Sequence, residues 1–310
     1  MESNLYLDEK ELKAYKIKTT IGNVVLYTFL VIVALFILIP FYWMFATAFR
    51  TDAEMSGTTV TFFPENPQFV NFVRIFSSVY DSEGKYMLGT DNFFLYFWNT
   101  LKVGFFTTVF SLTTTILAAF AFARLNFKGK DKLFGLILAT MMIPGEIYVI
   151  TNYMTISSFN RMPLMSWAGT NTHGALVLPF IIGVFDIFFL RQSFMQIPNE
   201  LYLAAKVDGT GDFKYLFKVM IPLAKSTIIT LLILSMMGTW NAYVWPNLVL
   251  TSDELRLVSD GLIHKFTGEG VALQNLQMAA SAMVTLPLLI TFVFLKKYIM
   301  RGVSRSGIKG

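Results

Sequence analysis

Long apolar runs alternate with polar stretches along the chain, and six of the runs are long enough to be considered as membrane spans. An α-helix needs about 20 mostly apolar residues to cross the hydrocarbon core of a bilayer. The fourth run is the shortest, and His173 and Gly174 extend it. The pattern therefore predicts an all-α polytopic membrane protein with six transmembrane helices. Because no repeat or linker divides the chain, residues 1–310 are predicted to form one domain. The runs are residues 21–45, 99–123, 133–154, 175–190, 226–245 and 278–295.

The first run also has one feature of a secretory signal peptide, because Ala46-Thr47-Ala48 imitates a cleavage site. The apolar region of a signal peptide has roughly 7–15 residues, whereas residues 21–45 form a longer run that follows a mostly polar segment. We therefore interpret this run as a retained span.

Lysine and arginine are distributed unevenly between the loops. One set of segments holds 18 of these residues in 79 positions, and the other set holds 6 in 103. Cytoplasmic loops of membrane proteins carry the excess of Lys and Arg, so both termini and the loop 191–225 are predicted to be cytoplasmic. The first set is residues 1–20, 124–132, 191–225 and 296–310, and the second is residues 46–97, 155–172 and 247–279.

Composition supports a membrane protein and excludes several kinds of site. Hydrophobic residues make up 55% and charged residues 15% of the 310 residues, with a mean hydropathy of +0.56, whereas a soluble domain carries roughly 25% charged residues. The lack of cysteine excludes disulfides and thiol chemistry, and His173 and His264 are far apart in the chain, so no metal site is predicted. The net charge of +5 follows from the basic cytoplasmic loops rather than from nucleic-acid binding.

The sequence also lacks the motifs of an enzyme. It contains no phosphate-binding loop of the form G-x-x-x-x-G-K-[ST] and no cluster of nucleophile, base and acid. We therefore predict no catalytic residue and no cofactor bound by this chain, so any ATP must be used by another subunit.

The polar stretch NELYLAAKVDGTGDFKYLFKVMIPL, residues 199–223, separates the fourth run from the fifth. Pro198 fits the start of a helix, where a missing N–H costs no hydrogen bond, and Glu200 then falls in the first turn, where a carboxylate complements the helix dipole. Asp208-Gly209 ends this helix, because glycine readily takes the left-handed conformation of a helix cap.

Both predicted helices of this stretch have an apolar face. On the first, Leu201, Ala204 and Ala205 share a face, and the small alanines let a partner surface approach closely. On the second, two lysines lie opposite the apolar face and Pro222 ends the helix. The pattern predicts a helix–break–helix elbow on the cytoplasmic side. The apolar face of the second helix consists of Phe213, Leu216, Phe217, Met220 and Ile221.

An amphipathic helix lying on the lipid head groups is the alternative interpretation of this elbow. It suits the second helix, whereas the first has too little apolar area for it. We therefore expect a protein surface to cover the first helix.

The elbow resembles the cytoplasmic E-A-A loop of binding-protein-dependent ABC importer permeases. That family carries a Glu, two Ala, a Gly and a downstream Pro, and its sugar branch has the same three-residue spacer and the Asp before Gly. The resemblance implies contact with a cytoplasmic ATPase. The predicted ATPase-coupling residues are Glu200, Ala204, Ala205, Asp208, Gly209 and Pro222, together with Phe213 and Phe217 of the second helix.

Other stretches resemble the sugar branch in the same order and spacing. One stretch departs from the pattern: residues 77–91, in the first outer loop, are longer and more polar than expected, which leaves the role of that loop open. The similar stretches are MMIPGEIYVITNYM (141–154), FFLRQSFMQIPNEL (188–201), WNAYVWPNLVLTSDELRLVSDGL (240–262) and GVSRSGIKG (302–310).

The resemblance implies a complete transport system around this chain. The chain would be one of two related but different permease subunits in the cell membrane, and together they would form the pathway. Separate ATPase subunits would bind the elbows and use ATP and Mg²⁺, and an external solute-binding protein would deliver the substrate. ATP binding would then switch the pathway from inward-facing to outward-facing.

Polar residues within the spans are candidates for lining this pathway. Glu146 and Asp186 fall inside predicted spans, where ionisable groups are costly and tend to face a cavity or a partner. An interfacial position is the alternative for both. Near the outer end of the fifth span, Trp240, Asn241 and Tyr243, with Trp245, could bind a sugar or form an interfacial aromatic belt.

The outer loop of residues 248–277 is the predicted contact with the solute-binding protein, because it is long and polar on the delivery side. Its predicted tip, LIHKFTGEG, spans residues 262–270 and contains His264, Gly268, Glu269 and Gly270; a plain surface histidine is the alternative for His264. The basic tail, residues 301–310, is predicted to contact the ATPase, with binding to anionic lipid as the alternative.

Several functions remain open at the level of sequence. A sugar or oligosaccharide is the substrate that the resemblance favours, and a glycerol phosphate ester is the alternative within the same branch. An ion-gradient-driven secondary transporter would show inverted repeats and paired carboxylates at the membrane midplane, which we do not find. An intramembrane enzyme lacks a catalytic set here.

Overall fold

The protein is mostly α-helical in the part of the chain that the computed structural model describes. By Cα proximity the chain forms two compact units, Met1–Phe72 with Gly270–Ala282, and Val73–Glu269 with Met283–Gly310. The described residues are 9–57, 61–80, 86–88, 90–266 and 274–307.

The first unit begins with one long helix, α1 (Glu9–Ala48), whose side chains are exposed along most of its length. An apolar surface of this size is typical of a segment that faces lipid or another subunit. Thr51 and Glu54 start α2 (Asp52–Ser56) with a capping box, in which the Thr51 hydroxyl accepts the Glu54 N–H at 3.1 Å and the Glu54 carboxylate accepts the Thr51 N–H at 2.6 Å. A short helix, α3 (Asn71–Arg74), follows.

The second unit starts with a hairpin of β1 (Val79–Tyr80) and β2 (Tyr86–Leu88), in which Val79 lies opposite Leu88 in antiparallel register. This hairpin lies within the stretch of residues 77–91 that departs from the family pattern. The remaining helices are α4 (Phe93–Arg124), α5 (Lys130–Thr140), α6 (Tyr148–Phe159), α7 (His173–Val177), α8 (Val184–Met195), α9 (Asn199–Val207), α10 (Asp212–Tyr215), α11 (Ile221–Leu223), α12 (Lys225–Trp240), α13 (Val244–Val249), α14 (Val258–Phe266) and α15 (Gln274–Gly307). Short 3-10 turns cover Gly145–Ile147, Ser166–Ala168, Leu178–Phe180 and Asp253–Leu255, and Leu216–Met220 is a π-helical turn.

The helices that could cross a membrane overlap the six predicted runs. Among the described residues, Lys13–Ala48, Phe93–Arg124 and Gln274–Lys296 are long and apolar enough to cross alone. Three further candidates are helix pairs bent at a short break, which gives up to six spans. The bent pairs are Lys130–Thr140 with Gly145–Phe159 (78°), His173–Phe180 with Val184–Met195 (46°) and Asp212–Leu223 with Lys225–Trp240 (80°).

The breaks in these pairs have identifiable local causes. Pro144 has an extended ψ of 135° and interrupts the first pair just before Gly145. In the second pair, Pro179 lies in the 3-10 turn Leu178–Phe180, and the backbone of Gly183 is extended. Proline removes one helical hydrogen bond and clashes with the preceding turn, so a helix bends or ends near it.

The predicted fifth run, residues 226–245, is not helical throughout. α12 ends at Trp240, and Asn241 follows as its cap with φ of −87° and ψ of 1°. The Asn241 side chain donates to the Met237 carbonyl at 3.0 Å, which satisfies a carbonyl at the helix end. A side chain that competes for a backbone group in this way favours helix ends, and hydropathy alone does not detect it.

The central helix of the second unit is α4, which packs against α8 and α12. Its buried residues include hydroxyl side chains at a spacing of four, Thr107, Ser111 and Thr115. Residues four apart lie on one face of a helix. α4 therefore carries a polar stripe on a face that points into the protein.

Candidate functional site

The elbow, residues 199–224, begins with α9, which Gly209 closes in a left-handed conformation, at φ of +72°. The Gly209 N–H donates to the Lys206 carbonyl at 3.0 Å, and the Thr210 N–H donates to the Ala205 carbonyl at 2.8 Å. These two bonds form the Schellman pattern of a helix end. A Cβ at Gly209 would meet nothing within 4 Å, so the backbone conformation, and not the space, requires glycine. The predicted helix break at this position is confirmed.

Asp212 is the centre of a polar clamp that connects the two halves of the elbow. Its carboxylate accepts the Tyr202 hydroxyl at 2.6 Å and pairs with the Lys206 ammonium at 2.7 Å. The Tyr202 ring also packs against the Tyr215 ring, with centroids 5.1 Å apart. Burial and the bond to Asp212 raise the pKa of the Tyr202 hydroxyl, so it stays a donor at neutral pH. The clamp of Tyr202, Lys206 and Asp212 thus joins the two halves of the elbow through contacts at the surface.

The second half of the elbow is not the single α-helix ending at Pro222 that the sequence predicted. The Ile221 N–H bonds to the Leu216 carbonyl, five residues back, and Pro222 lies inside α11. Proline has no N–H to donate to the carbonyl four residues back, and a π-helical turn just before it accommodates the missing bond. The direction of the chain then changes by 80° at the break around Ala224.

The predicted apolar face of this half divides between two surfaces. Leu216 and Met220 are buried, whereas Phe213 and Phe217 are exposed. The apolar stripe is wider than the contact that the neighbouring helices make, so only one of its edges is covered. The two phenylalanines remain accessible to a partner or to lipid.

Buried contacts attach the root of the elbow to α4 and α8. The Arg124 guanidinium, at the C-terminal end of α4, donates to the Phe194 carbonyl at 2.8 Å and also to the Ile197 carbonyl. A cation at this position also complements the helix dipole. A displacement of the elbow would therefore be passed to α4 and α8. The buried cluster around this root contains Ala119, Phe120, Leu190, Phe194, Ile197, Tyr215, Leu216, Met220, Ala224 and Leu231.

The outer face of α9 is exposed and partly apolar. Val207 is 88% exposed, and Leu203 and Ala204 are exposed beside it. Ala205, in contrast, packs against the buried cluster. Leu201, Ala204 and Ala205 all lie on α9 at the predicted spacing, and the first two are exposed, whereas Ala205 lies at the edge that packs against the protein.

The two predicted acidic residues lie at opposite ends of α9. Glu200 lies in its first turn and Asp208 caps its C-terminal end, and both are exposed. Glu200 is placed to complement the helix dipole, whereas a carboxylate at the C-terminal end does not.

A second candidate site is a cavity of about 420 Å³ between α4, α8 and α12. This volume lies within the range of small-molecule pockets, which are mostly apolar with a few polar groups. Phe180, Phe185 and Trp245 contribute aromatic rings to the wall. The polar groups of the wall belong to Thr107, Ser111, Asp186, Ser235 and Thr239.

Asp186 lies in the first turn of α8, beside Gly183. A Cβ at Gly183 would lie 2.6 Å from Oδ2 of Asp186, so glycine leaves the carboxyl room in this position. Ser111 of α4 lines the same cavity. Of the predicted pathway residues, Asp186 is the one that lines the cavity.

Glu146 and Trp240 lie elsewhere. Glu146 is exposed in the 3-10 turn at the break between α5 and α6. Trp240 is buried, its indole N–H donates to the Val284 carbonyl at 3.1 Å, and its ring packs edge-on against Phe97. These contacts account for Trp240 as a packing residue.

Asn241 and Tyr243 follow α12 and also lie outside the cavity wall. Trp245, two residues further on, does line the cavity and donates its indole N–H to the Ala175 carbonyl at 3.0 Å. The aromatic group in this part of the chain that reaches the cavity is therefore Trp245.

The α14 segment, residues 251–266, follows α13 and is held by buried polar groups. Arg256 donates from one nitrogen to both oxygens of Asp260, at 3.0 and 2.9 Å, and Asp260 is 0% exposed. On α4, the Asn99 amide donates to the Glu254 and Arg256 carbonyls, and the Thr100 hydroxyl accepts the Val258 N–H at 2.8 Å. The segment is thus bound to the start of α4.

Asp253 adds a second set of charges to the α14 segment. Burial raises the pKa of its carboxyl group. Hydrogen bonds from Tyr96 and Asn92, together with the nearby Lys265, lower the pKa by more than burial raises it, so the net pKa is below the usual value. Asp253 is therefore ionised at neutral pH.

Of the predicted contact tip, the structure describes only the first part. His264 is exposed on α14, which agrees with either interpretation made from the sequence. Gly268, Glu269 and Gly270 lie outside the described residues.

Several residues of these sites were missed from the sequence. The spacing of four between Thr107 and Ser111, and between Arg256 and Asp260, was available as a signal of a shared helix face. The clamp between Tyr202 and Asp212 crosses a helix break, so no periodicity could have indicated it.

Up to six candidate membrane-crossing elements, the cavity between α4, α8 and α12 and an exposed helical elbow are features that fit a membrane transport subunit. The family described as "Binding-protein-dependent transport system inner membrane component" matches residues 111–305. The chain belongs to this family. It is therefore an inner-membrane permease component of an ABC transport system, whose ATPase is a separate subunit, and an ion-gradient-driven transporter does not fit.

Characterised relatives extend over nearly the whole chain. The arabinooligosaccharides transport system permease protein AraQ of Halalkalibacterium halodurans is 29% identical over 286 residues, which cover 92% of this chain and 94% of the relative. The lactose transport system permease protein LacG of Rhizobium radiobacter is 29% identical, with 94% and 98% covered. The sn-glycerol-3-phosphate transport system permease protein UgpE of Yersinia pestis is 26% identical, with 89% and 94% covered.

A solved structure supports the fold. A crystal structure of a bacterial ABC transporter involved in the import of the acidic polysaccharide alginate contains a chain that is similar to this one, with a TM-score of 0.73 and 22% identity. The match covers 91% of this chain and 97% of that chain. At this level of identity the similarity defines the fold and does not define the substrate.

Proposed function

We propose that this chain is one of two different permease subunits of an ATP-driven importer for a sugar or oligosaccharide, which an external solute-binding protein delivers. The proposal includes six spans with both termini in the cytoplasm. It is supported by the excess of Lys and Arg in the four segments assigned to the cytoplasm. It is also supported by the similarity to AraQ and LacG, which are named for the transport of arabinooligosaccharides and lactose.

The observation that carries the proposal is the exposed, partly apolar end of α9 beside the left-handed Gly209. A short helix that exposes Leu203 and Val207 has no stability of its own in water, and it fits a complementary protein surface. In this interpretation α9 docks into the ATPase, and the clamp around Asp212 and the root at Arg124 pass its movement to α4 and α8.

The opposite end of the bundle has a different role in the proposal. The α14 segment and the residues that follow it would contact the solute-binding protein. The supporting observation is that buried hydrogen bonds bind the segment to α4, so a load applied there reaches the same helix that the elbow root contacts.

A glycerol phosphate ester is a second candidate substrate, because UgpE of Yersinia pestis is similar over most of the chain. Two sugar transport permeases have slightly higher identity to this chain, so a sugar is the first choice.

The elbow assignment can be tested with a pair of matched variants. Val207→Glu places a charge on the proposed docking surface and is expected to prevent co-purification of the ATPase. Leu164→Glu changes a residue that is 89% exposed, against 88% for Val207, and lies on the side assigned to the outside, so it should leave the ATPase bound. Equal co-purification of both variants would contradict the assignment.

Transport itself is tested in proteoliposomes that contain both permease subunits and the ATPase, with the solute-binding protein on the outside. Uptake of a sugar that requires ATP and persists when an ionophore collapses the ion gradients is the expected result. Uptake that needs no ATP would contradict the proposal.

A further inference from the structure

The cavity between α4, α8 and α12 contains a polar group without a protein partner. The Thr107 residue is 6% exposed, and its hydroxyl has no hydrogen-bond partner among the described residues. A buried hydroxyl without a hydrogen-bond partner is unfavourable. Because Thr107 also lines the cavity, a group inside the cavity can supply the missing bond.

The other polar groups of the wall extend the same surface. Ser111 lies one helical turn beyond Thr107 on α4, and the Asp186 carboxyl of α8 lines the same cavity. On the facing helix, the Ser235 hydroxyl accepts the Thr108 hydroxyl at 2.9 Å and also lines the cavity. Hydroxyl groups donate and accept and a carboxylate accepts, so this surface matches a ligand that carries several hydroxyls.

The aromatic part of the wall complements the polar part. The Trp245 and Phe180 rings pack edge to face, with centroids 6.3 Å apart, on the same cavity. Such rings offer large apolar surfaces, while few polar groups fix orientation. A sugar ring has both kinds of surface, with C–H groups on its faces and hydroxyls on its edge.

The charge of the wall distinguishes between kinds of ligand. Asp186 is acidic, and the residues described as lining the cavity include no Lys, Arg or His. Asp186 also occupies the first turn of α8, so it already compensates the positive end of that helix. A phosphate or a second carboxylate would find no cation here and would be repelled by the Asp186 carboxylate.

From these observations we infer that the cavity is a binding site of this subunit for a neutral, hydroxyl-rich sugar unit, and that it discriminates against anionic substrates such as glycerol phosphate. This inference rests on the proposed function and adds to it a site and a substrate class. Thr107 and Asp186 bind the sugar hydroxyls, and Trp245 binds an apolar face of the ring.

Direct binding to the assembled complex tests the site without the selectivity of the solute-binding protein. Saturation-transfer NMR on the detergent-purified permease–ATPase complex is recorded with arabinotriose, lactose and sn-glycerol 3-phosphate as probes. At least one neutral probe should bind and the phosphate should not. Binding of no neutral probe, or equal binding of the phosphate, would overturn the inference.

α4 provides a matched pair of variants for the same measurement. Thr107→Val should raise the Kd of the neutral probe about three- to tenfold, which is the loss of affinity expected for one hydrogen bond. Thr115 lies two turns further along, is equally buried and also has an unpartnered hydroxyl, but it does not line the cavity. Thr115→Val should leave the Kd unchanged, and equal effects of the two variants would overturn the inference.

Asp186→Asn tests the charge. It should reduce the preference for neutral probes over sn-glycerol 3-phosphate, and an unchanged preference would remove the assigned role of Asp186.

These outcomes are distinct from a failure of the proposed function. If proteoliposomes show ATP-dependent sugar uptake but Thr107→Val and Thr115→Val have the same Kd for the neutral probe, the site alone is refuted. Absence of ATP-dependent uptake in the wild type would refute the transport function.

Discussion

The elbow and the α14 segment are both short helical stretches between longer helices, but different interactions hold them. The Lys206–Asp212 pair of the elbow lies at the surface, with both side chains more than a third exposed. The Arg256–Asp260 pair of the α14 segment is buried, and one Arg256 nitrogen donates to both carboxylate oxygens. The elbow exposes large apolar side chains such as Val207, whereas the α14 segment buries Val258, Leu262 and Phe266.

This difference indicates how each region works. The α9 end of the elbow has weak surface contacts and uncovered apolar residues, so it can change partners or orientation at low cost, which suits a moving joint. A segment held by a buried ion pair and by side chains of α4 moves together with that helix. In the proposed transporter, the elbow would therefore be the adjustable end and the α14 segment the rigid end.

The largest expected effect comes from breaking the buried ion pair. Asp260→Ala leaves the Arg256 guanidinium buried without its main partner, and we expect it to lower the free energy of unfolding by about 3–5 kcal/mol. Denaturant titration of the purified complex in mixed micelles measures this change.

The corresponding change in the elbow is the control. Asp212→Ala removes the exposed pair with Lys206 and should cost about 1 kcal/mol or less. If the two variants lose the same stability, the contrast between a rigid and an adjustable end is wrong.

The second prediction concerns the conformation of Gly209. Gly209→Pro forces φ to about −65° and removes the N–H that bonds to the Lys206 carbonyl. We expect the variant to insert into the membrane and pair with its partner subunit, but to release the ATPase or to uncouple ATP hydrolysis from uptake. Co-purification and uptake by proteoliposomes measure the two outcomes.

Gly211 provides the same substitution in a compatible backbone. Its φ is −71° and a Cβ there would meet nothing within 4 Å, so Gly211→Pro should retain ATPase binding and uptake. Normal ATPase binding and uptake by Gly209→Pro would show that the left-handed turn is not needed for coupling.

The contrast between the two regions also shows which features the sequence could predict. Each of the six apolar runs overlaps a candidate span, and the break at Gly209 was predictable because one residue type dominates left-handed helix ends. The π-helical turn before Pro222 was not, since it depends on how the chain accommodates one missing hydrogen bond within a packed cluster.

Site residues that depend on packing between distant helices were the hardest to predict. Asp186 stood out as a carboxylate within a span, but its neighbours on α4 and α12 come together only in the fold. Trp240 has the type of side chain that often binds sugars, but its contacts with Phe97 and Val284 are those of a packing residue. The sequence identifies such groups as candidates. Which of the two tryptophans lines the cavity depends on the end of α12 at Trp240, which the structure provides.

A smaller effect is expected at the start of the elbow. Glu200→Ala removes a carboxylate from the first turn of α9, and if it acts only through the helix dipole the cost is about 0.3–1 kcal/mol. Titration of the ATPase onto the permease complex in detergent gives the loss of binding free energy. A larger loss would mean that Glu200 contacts the ATPase directly, and no loss would remove it from the coupling residues.

The smallest effect is a pH dependence confined to the α14 segment. Burial, followed by the positive charges of Arg256 and Lys265, lowers the pKa of the His264 ring below 6.5, while Asp260 and Asp253 partly oppose this. Stability from the neutral ring is therefore fully present above pH 6.5 and is lost as the pH falls through the lowered pKa. Because His264 is exposed, solvent screening limits the effect to about 0.5 kcal/mol or less.

Hydrogen exchange of the α14 amides measures this effect. After division by the intrinsic exchange rate at each pH, exchange should be faster at pH 5.5 than at pH 7.5, and this difference should disappear in His264→Gln. The elbow contains no histidine, so α9 amides serve as the internal control, and an equal acceleration in both helices would show that His264 is not the cause.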